Sequence, residues 1–537
     1  MSNPINYNEI IYENNDIQIR KIAEWEDCYI SLGQRRYPTR DPHELLTVRF
    51  IDYEKNKYRY KIAKVTDEGI IASEQYYDRV DDSDPWLYKV ATDDKGYGFV
   101  DPDLNIVIQQ KYPYIGHFNE GYAVAIKSDN TAVVLDEEGN EFPFQCEHKG
   151  TNYSAIGYCS GGLIRVSDCK DVDSEDVYKR FNSNISDDDC FDEYSWRRGN
   201  WGFVNTKGEE AIPPQYAYAT DFMNGVAIVA KKIPWYDGRK CGVIDAKGNE
   251  VIPCIYDELY VFYTEDGGNC SNRYFRAKTD KGWGVVDIDG NFIFDPDVVD
   301  LEWDLSDDDC FAFRTDHLHH YGIYDPVGLY SILERRIIFQ PQFDWIDFLD
   351  DGWMHVVAYD ENLNRCVERI INKEGNQLFE SDWSELSVKD DHYIVSMGEK
   401  VNDRWLRKYG VVDKDGNIIF TCKYFADIDG ISYKQKKIIY IDPECDLYGL
   451  AGFDDTVYVS PTFKDLKWLC YFDLIRTGTG DKYDSLYGLL WHDGIEIFPM
   501  VYNSIDIRNE ILITRDNFRN TIYKVDRKIS SPSRTII

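Results

Sequence analysis

The sequence has few basic residues for its length and no long hydrophobic run. It contains 60 Lys and Arg against 96 Asp and Glu in 537 residues, so its formal net charge is −36. A surface this negative repels phosphate backbones and anionic lipid headgroups, so we expect binding to neither nucleic acid nor membrane surfaces. No apolar stretch approaches the roughly 18 residues of a membrane span. Residues 1–16 also lack the basic and apolar regions of a secretory signal. These absences predict a cytoplasmic protein.

Methionine is scarce, and the cysteines form no paired motif. The sequence has 5 Met beside 41 Tyr, 26 Phe and 13 Trp, and aromatic residues favour pleated, half-buried strands over helices. Its 13 Cys are scattered without a C-x-x-C pair, which argues against a disulfide framework and against a zinc cluster. The composition therefore predicts an all-β protein in which the cysteines are small buried side chains.

Motifs of catalysis and of cofactor binding are absent. The sequence contains no G-x-S-x-G, G-x-x-x-x-G-K-[ST] or H-E-x-x-H motif, and no G-x-G-x-x-G after a strand. Residues 478–482 lack the spacing of a phosphate loop, and residues 317–320, with three histidines, have no partner that would complete a metal site. Residues 287–290 and 413–416 resemble the opening of a calcium loop without its remaining ligands, so we interpret them as hairpin turns. We expect no enzyme activity, no cofactor and no metal.

One phrase recurs along the chain: an aromatic residue, an anchor Gly, two apolar residues, then Asp or Asn. A second Gly follows the anchor by six residues in most copies, and a bulky residue follows it by fourteen. The anchors are Gly98, Gly202, Gly242, Gly284, Gly322, Gly410, Gly449 and Gly488, two of them preceded by Trp201 and Trp283, and the bulky residues are Tyr112, Tyr216, Tyr256, Tyr424, Phe463 and Tyr502. Fixed offsets of this kind predict tandem repeats in which these residues are structural.

The same offsets identify degenerate copies at positions 63, 133 and 369, whose anchor Gly is lost. The chain then holds eleven copies at intervals of about 40 residues. Identical hexapeptides at residues 186–191 and 306–311 stand at the same distance before an anchor, and they place an insertion near residues 148–180.

Each copy predicts three short antiparallel strands. An apolar run follows the anchor, as in residues 242–245, and a turn that begins with Asp245 and ends with Gly248 returns the chain. Asp caps such a turn, and Gly reaches the positive φ that the turn requires. A third run with period-2 alternation, such as residues 226–229, completes the copy.

Residues 199–227 carry the phrase in its fullest form, with W-G-F-V-N, a turn that ends in Gly208, then I-P-P-Q-Y and D-F-M-N-G-V-A. This stretch resembles a unit of the bacterial WG-repeat family. The resemblance covers about residues 58–527, and the aromatic of the WG pair is lost at Ala132, Cys241 and Glu368. It implies a modular β-repeat that acts as an interaction surface and has no general catalytic residues.

Two architectures fit tandem β units of this length. A closed propeller usually takes four strands per blade, whereas each copy here predicts three. An open solenoid or superhelical array tolerates uneven intervals, so we predict an open array, with a propeller-like ring as the alternative. The predicted domains are a capping segment at residues 1–57, the repeat array at 58–527 with its insertion near 148–180, and a tail at 528–537.

Functions of three classes fit the sequence. The leading hypothesis is a non-enzymatic scaffold whose acidic repeat surface binds a protein partner with a basic surface. The alternatives are a carbohydrate or cell-envelope binder, and an enzyme with a site in the insertion, which contains His148, Cys159 and Cys169. Candidate partner-binding residues are tryptophans outside the repeat position and two runs of aspartate, namely Trp235, Trp303, Trp345, Trp353, Asp187, Asp188, Asp189, Asp307, Asp308 and Asp309. Trp405 and Trp468 also lie outside the repeat position.

Overall fold

The computed structural model of the chain consists of short strands joined by turns, and its described residues form no α-helix. Within these residues, then, there is no helix with the length and apolar character required to cross a membrane. The described residues are 4–14, 16–32, 45–53, 55–66, 68–81, 87–129, 131–145, 154–167, 200–233, 238–264, 270–301, 304–305, 310–315, 326–349, 352–360, 365–379, 385–389, 392–402, 404–421, 424–469, 473–480, 485–508, 510–517 and 519–528.

The strands are numbered in chain order. The first part of the chain contains β1 (Ile5–Glu13), β2 (Ile17–Glu26), β3 (Tyr29–Leu32), β4 (Leu45–Asp52), β5 (Lys57–Thr66), β6 (Gly69–Ala72), β7 (Arg79–Asp81), β8 (Tyr88–Thr92), β9 (Gly96–Val100), β10 (Ile106–Tyr112), β11 (Tyr114–Ile115), β12 (Tyr122–Ile126), β13 (Ala132–Asp136), β14 (Glu141–Pro143), β15 (Ser154–Ser160), β16 (Leu163–Ser167), β17 (Trp201–Asn205), β18 (Glu210–Tyr216), β19 (Tyr218–Ala219), β20 (Val226–Lys232), β21 (Arg239–Asp245), β22 (Glu250–Tyr256), β23 (Glu258–Thr264), β24 (Cys270–Thr279), β25 (Gly282–Asp287) and β26 (Phe292–Val298). The remainder contains β27 (Asp300–Leu301), β28 (Asp304–Leu305), β29 (Cys310–Arg314), β30 (Val327–Ser331), β31 (Arg336–Phe343), β32 (Trp345–Phe348), β33 (Met354–Asp360), β34 (Arg365–Ile371), β35 (Glu385–Lys389), β36 (His392–Val401), β37 (Arg404–Asp413), β38 (Ile418–Phe420), β39 (Phe425–Ser432), β40 (Lys437–Asp442), β41 (Leu447–Gly452), β42 (Val457–Phe463), β43 (Asp465–Leu469), β44 (Leu474–Gly478), β45 (Tyr487–Trp491), β46 (Glu496–Tyr502), β47 (Ser504–Arg508), β48 (Ile511–Asp516) and β49 (Arg519–Arg527).

A small antiparallel sheet is the repeating unit, so the predicted all-β fold of many small antiparallel sheets is confirmed. In most sheets, neighbours in sequence are neighbours in the sheet. The sheets are β3–β6, β7–β10, β11–β14, β15–β18, β19–β22, β23–β26 with β28, β27 with β29–β31, β32–β34, β35–β42, β43–β46, and β1 and β2 with β47–β49. The β35–β42 sheet is two such meanders that are joined by the pair of Lys408 and Phe425.

The typical sheet has four strands where the sequence predicted three per copy. The additional strand is the first, which in β11 and β19 is only two residues long and therefore leaves no alternating pattern in the sequence. The strand predicted to end one copy pairs with the anchor strand of the next copy, as β20 does with β21. Alternating apolar residues show that a segment is a strand, but they do not show which strand it pairs with. The sequence therefore assigned this strand to the end of one copy, whereas in the structure it belongs to the sheet of the next anchor.

Several anchor glycines, among them Gly98, Gly202 and Gly242, lie where two strands approach closely. Around Gly242 the register of β21 and β22 shifts, because Cys241 pairs with Tyr256 while Val243 pairs with Ile252. A Cβ on Gly242 would lie 2.5 Å from the carbonyl oxygen of Ile252. The bulge therefore has room only for glycine, which explains the recurrence of the anchor.

The turn after the anchor strand is held by its first side chain. Asp245 Oδ1 accepts hydrogen bonds from the backbone N–H groups of Lys247 and Asn249, each at 2.9 Å, and Gly248 has a φ of +81°. Asp287 and Asp413 accept the equivalent bonds. The two stretches that resemble calcium loops are thus hairpin turns whose carboxylates already have backbone partners.

The bulky residue fourteen positions after the anchor connects one repeat to the next. Tyr112 is buried and donates a hydrogen bond to Glu141 Oε1 at 2.7 Å. Tyr256 is buried and donates to the carbonyl oxygen of Gly290 at 3.4 Å. In both cases the hydroxyl reaches the following hairpin, so this position contributes both packing and a hydrogen bond.

The chain forms two compact units. The first comprises Met1–Asp93, Phe99–Ile106 and Phe379–Ile537, and the second comprises Asp94–Gly98 and Val107–Leu378. Within each unit, successive sheets pack face to face through apolar clusters, as Val243 of β21 packs with Phe275 of β24 in the second unit. Ile244, on the opposite face of β21, belongs to another apolar cluster, so both faces of this sheet are apolar and need neighbouring sheets to bury them.

The first and last strands of the chain share one sheet of the first unit. Its order is β1-β2-β49-β48-β47, so β2 takes the place that the fourth strand has elsewhere. β2 pairs with β49 through nine residue pairs, and its Ile22 and Trp25 are fully buried. The segment 1–57, assigned to a cap from the sequence, thus contributes β2 to this sheet and β3 and β4 to the next. This pairing of the first and last strands was not predicted from the sequence.

Part of the predicted insertion is regular structure. Residues 154–167 form β15 and β16, which are the first two strands of the sheet that contains Trp201. These two strands thus occupy part of the predicted insertion near residues 148–180. Most of the connection between β16 and β17, residues 168–199, lies outside the described residues.

The anchor assigned to Gly322 belongs at Gly328. Gly322 lies outside the described residues, whereas Gly328 lies in β30 and its Cβ would meet the carbonyl oxygen of Phe339 at 2.9 Å. Val327 pairs with Phe343 across the same register shift that marks the other anchors. Because Gly328 follows Gly322 by six residues, its spacing in the sequence is that of a turn glycine.

Candidate interaction surface

An arginine stacks on the aromatic residue that precedes the anchor glycine in several sheets. The distances from guanidinium carbon to ring centroid are 5.1 Å for Arg165 and Trp201, 5.2 Å for Arg276 and Trp283, and 4.5 Å for Arg476 and Tyr487. Each arginine stands in the preceding strand, opposite the residue that follows the anchor. We call this arrangement the arginine–aromatic unit.

Each of these arginines also has a carboxylate partner. The ion pairs are Arg165 with Asp221 at 3.2 Å, Arg276 with Asp300 at 3.6 Å, and Arg476 with Asp465 at 3.2 Å. Arg276 is only 2% exposed, and a buried guanidinium requires such compensation. The arginine–aromatic unit therefore joins strands inside the sheets and presents little surface to a ligand.

The β32–β34 sheet replaces this unit with a cluster of ionisable groups. His355 takes the register of the arginine, opposite Ile370, and Glu368 takes the position of the aromatic residue. His355 Nε2 lies 3.0 Å from Glu368 Oε2, and His355 Nδ1 lies 3.8 Å from Asp347 Oδ2. The β32–β34 sheet thus has an imidazole between two carboxylates, where the arginine–aromatic units have a guanidinium stacked on an aromatic ring.

The two carboxylates hold a proton on the imidazole. Burial lowers the pKa of His355, but Asp347 and Glu368 outweigh that effect and raise the pKa to about 9. In return, His355 lowers the pKa of Asp347, against the effect of burial, and the indole of Trp345 lowers it further. At neutral pH His355 is therefore an imidazolium, and Asp347 beside it is a carboxylate.

Half-exposed aromatic residues flank the cluster. Trp345 is 47% exposed and pairs across the sheet with Val357, and Tyr359 is 42% exposed and pairs with Cys366. Side chains alternate along a strand, so these residues lie on the same face of the sheet as His355. We call the set the β32–β34 face, which comprises Trp345, Asp347, His355, Val357, Tyr359, Cys366 and Glu368.

The β32–β34 face offers charge and aromatic surface rather than a reactive group. The thiol of Cys366 lies 3.7 Å from Asp344 Oδ2, and burial together with that carboxylate raises the pKa of Cys366. The thiol is therefore protonated at neutral pH and is a poor nucleophile. Among the described residues, no group of three or more His, Cys, Asp or Glu side chains could hold a metal ion.

Replacing His355 with glutamine should remove a pH-dependent part of the stability. The pKa of His355 is about 9 in the folded state, whereas its ordinary value is 6.5, so protonation of His355 stabilises the fold fully below pH 6.5. This stabilisation is lost as the pH rises through 9. Relative to His355→Gln, the unchanged protein should lose up to about 3 kcal/mol between these limits. Thermal melts of both proteins from pH 6 to pH 10 measure this difference. If the stability of the two proteins changed with pH in the same way, the ion pairs of His355 would not contribute to the stability of the fold.

Comparison with known proteins agrees with the repeat geometry. The family described as "WG containing repeat" matches residues 97–130, 201–232, 242–280 and 409–424. Each matched segment contains an anchor glycine or begins at one. The chain is a WG-repeat protein. A WG-repeat β fold of this kind is a repeat-based interaction or surface module.

Solved structures similar to this WG-repeat protein are distant. PorZ, a surface component of the type-IX secretion system of Porphyromonas gingivalis, is 9% identical, with 91% of this chain and 71% of PorZ covered and a TM-score of 0.19. The acylaminoacyl peptidase of Pyrococcus horikoshii is 13% identical, with 72% of this chain and 59% of the peptidase covered and a TM-score of 0.21. With TM-scores this low, neither protein informs the function of the chain. None of the curated proteins matches the sequence.

The structure places most of the predicted repeat residues inside the WG-repeat sheets. The anchor glycines in described strands are Gly98, Gly202, Gly242, Gly284, Gly410, Gly449 and Gly488. Buried aromatic residues of the repeat are Tyr112, Trp201, Tyr216, Tyr256 and Trp283, and half-buried ones are Tyr424, Phe463 and Tyr502. Together these residues form the repeated packing between and within sheets.

The candidate partner-binding residues are distributed differently. Trp345 lies on the β32–β34 face, and Trp353 is half-buried in the connection before β33. Residues outside the described part are Trp235, Trp303, Asp187, Asp188, Asp189, Asp307, Asp308 and Asp309. No pattern in the sequence predicted that Asp347, His355 and Glu368 form a group. The one sequence signal was the loss of the WG aromatic at Glu368, which marks the repeat that departs from the pattern.

Proposed function

We propose that this WG-repeat protein is a non-catalytic interaction module of the cytoplasm, and that its β32–β34 face binds a basic segment of a partner protein. The observation that carries the proposal is the combination on one face of two half-exposed aromatic rings with an excess of carboxylates. Trp345 and Tyr359 can anchor aliphatic parts of a bound segment, since tryptophan and tyrosine dominate binding hot spots.

The charges of the face favour a basic partner. On the face, Asp347 and Glu368 supply two carboxylates and His355 supplies one imidazolium, and Asp344 adds a third carboxylate beside Cys366. A Lys or Arg side chain that approaches Asp347 meets a carboxylate that is about half exposed. The net charge of −36 of the whole chain increases the rate of encounter with a basic partner.

The protonation states support binding rather than catalysis. With a pKa of about 9, His355 is already protonated at neutral pH and does not serve as a general base. The raised pKa of Cys366 keeps its sulfur in the thiol form. The same charge pattern disfavours phosphate backbones and anionic membranes as partners.

Selection from a random peptide library tests the proposal. A library of 12-residue peptides displayed on phage is selected on the full chain, and the recovered peptides are measured by fluorescence anisotropy. We expect peptides with net positive charge, whose binding weakens at least tenfold in Trp345→Ala, a loss of about 1.4 kcal/mol or more. Binding should also weaken when NaCl is raised from 50 to 500 mM, because salt screens the charges.

Trp405→Ala is the matched control, because Trp405 is 74% exposed in β37 and belongs to a different sheet. Its binding should equal that of the unchanged protein. Asp347→Asn should weaken binding and reduce its salt dependence. Recovery of neutral or acidic peptides alone, or equal binding by Trp345→Ala, would overturn the proposal, as would tight binding of duplex DNA.

A further inference from the structure

A second surface of the chain carries the opposite charge. Arg49 of β4 lies between two tyrosine rings, 4.8 Å from the centroid of Tyr29 and 4.6 Å from that of Tyr58. Arg515 of β48 lies over the ring of Tyr29 at 4.0 Å. Guanidinium groups and phenol rings therefore alternate in a row of four side chains. We call Tyr29, Arg49, Tyr58 and Arg515 the tyrosine–arginine stack.

Large exposed apolar side chains adjoin the stack. Tyr29 pairs across the sheet with Arg49, and Ile51 pairs with Tyr58, so these four residues share one face of the β3–β6 sheet. Ile51 is 48% exposed, and Tyr53, in the turn after β4, is 86% exposed. Tyrosine and arginine are the residue types that are enriched where proteins bind each other.

The arginines of the stack differ from those of the arginine–aromatic units. Arg165, Arg276 and Arg476 each have an aspartate partner. Within the described part of the chain, neither Arg49 nor Arg515 has a carboxylate at ion-pair distance, although acids exceed bases by 36 in the sequence. Arg515 Nε donates instead to Asn520 Oδ1 at 3.0 Å.

The geometry leaves the hydrogen-bonding edges of these guanidiniums for another acceptor. Stacked rings cover the two flat faces of a guanidinium. Its N–H donors point outward from its edge, in a geometry that suits a carboxylate. A positive site of this kind in a chain with a net charge of −36 attracts a short acidic segment. A long polyanion is repelled by the remaining surface.

We propose that the tyrosine–arginine stack is a second binding site, which takes an acidic segment of a partner protein. An Asp or Glu side chain of that segment accepts hydrogen bonds from Arg49 and Arg515. An adjacent aromatic or aliphatic residue of the same segment packs against Ile51 and Tyr53. The site is independent of the β32–β34 face, because it has the opposite charge and shares none of its residues.

Peptide selection on the Trp345→Ala variant of the full chain tests this site separately. That variant removes the aromatic anchor of the β32–β34 face, so failure of one proposal does not decide the other. We expect 12-residue peptides that combine Asp or Glu with an aromatic or aliphatic neighbour. Their affinity, measured by anisotropy, should fall at least tenfold in Arg49→Gln. It should fall less in Arg49→Lys, which keeps the charge and loses the planar donors.

Two further variants make the test decisive. Tyr53→Ser alters a residue that is 86% exposed, so it should fold normally and weaken binding about threefold, which is within the usual range for one interface residue. Arg404→Gln is the matched control, because Arg404 is exposed and already paired with Asp446 at 2.9 Å, and its binding should not change. Three results would each overturn the proposal: no acidic peptides, equal binding by Arg49→Gln and Tyr53→Ser, or tighter binding of an oligothymidylate than of any peptide.

Discussion

Replacing Gly242 with alanine should destabilise the second unit by about 4 kcal/mol or more, at the upper end of single substitutions. The new Cβ would lie 2.5 Å from the carbonyl oxygen of Ile252, 2.7 Å from the amide nitrogen of Cys254 and 2.8 Å from the carbonyl carbon of Pro253. These are backbone atoms of the paired strand, so they can move only if the ladder between β21 and β22 breaks. Thermal melts followed by circular dichroism measure the loss.

Gly398→Ala is the matched control for this substitution. Gly398 also lies within a strand, and a Cβ there would meet only the ring of Trp405, at an ordinary contact distance of 3.6 Å. Its melting temperature should stay close to that of the unchanged protein. If Gly242→Ala were equally stable, the close approach of strands would not be the reason for the anchor glycine.

Removing residues 1–26 should abolish cooperative folding of the first unit and leave the second unit folded. The deletion removes β2 from its ladder with β49 and opens two apolar clusters, one that contains Ile22 and Trp25 and one that contains Ile17 and Ile19. An uncovered β49 would also present a long edge to other chains. Hydrogen exchange measured by mass spectrometry should show lost protection in β47–β49 and retained protection in β19–β22.

Adding the deleted segment as a separate peptide should restore the first unit. A peptide of residues 4–26 can pair with β49, because the ladder needs no covalent link between the two ends. The control peptide carries Ile19→Asp and Trp25→Asp, which would place charges in the apolar clusters, and it should restore nothing. Retained protection in β47–β49 after the deletion would contradict a structural role for the β2–β49 pairing.

Local features of the repeat could be read from the sequence. The anchor at Gly242, the turn from Asp245 to Gly248 and the position of Tyr256 follow from hairpin geometry within fifteen residues, and the structure has each of them. Backbone requirements of this kind admit few residue types, since a close approach needs glycine and a positive φ favours it. The family resemblance rested on the same positions.

The candidate surface could not be read in this way. Loss of the aromatic at Glu368 was visible, but its ion pair with His355 depends on the register of β33 against β34, and the contact with Asp347 depends on β32. Alternation within a strand predicts which residues share a face and leaves the neighbouring strand undefined. Trp345 was therefore identified as a tryptophan outside the repeat position, without the charges that surround it.

The sequence alone determined that the chain is an array of β hairpins with glycine anchors and aspartate turns, because these features depend on the backbone over short distances. The tertiary structure decided the short first strand of each sheet, the pairing of β2 with β49 and the row that brings Arg515 onto Tyr29. These features join segments that are distant in the chain. The residue types of these segments are compatible with many neighbouring strands, so the packing of the whole unit selects which segments lie side by side.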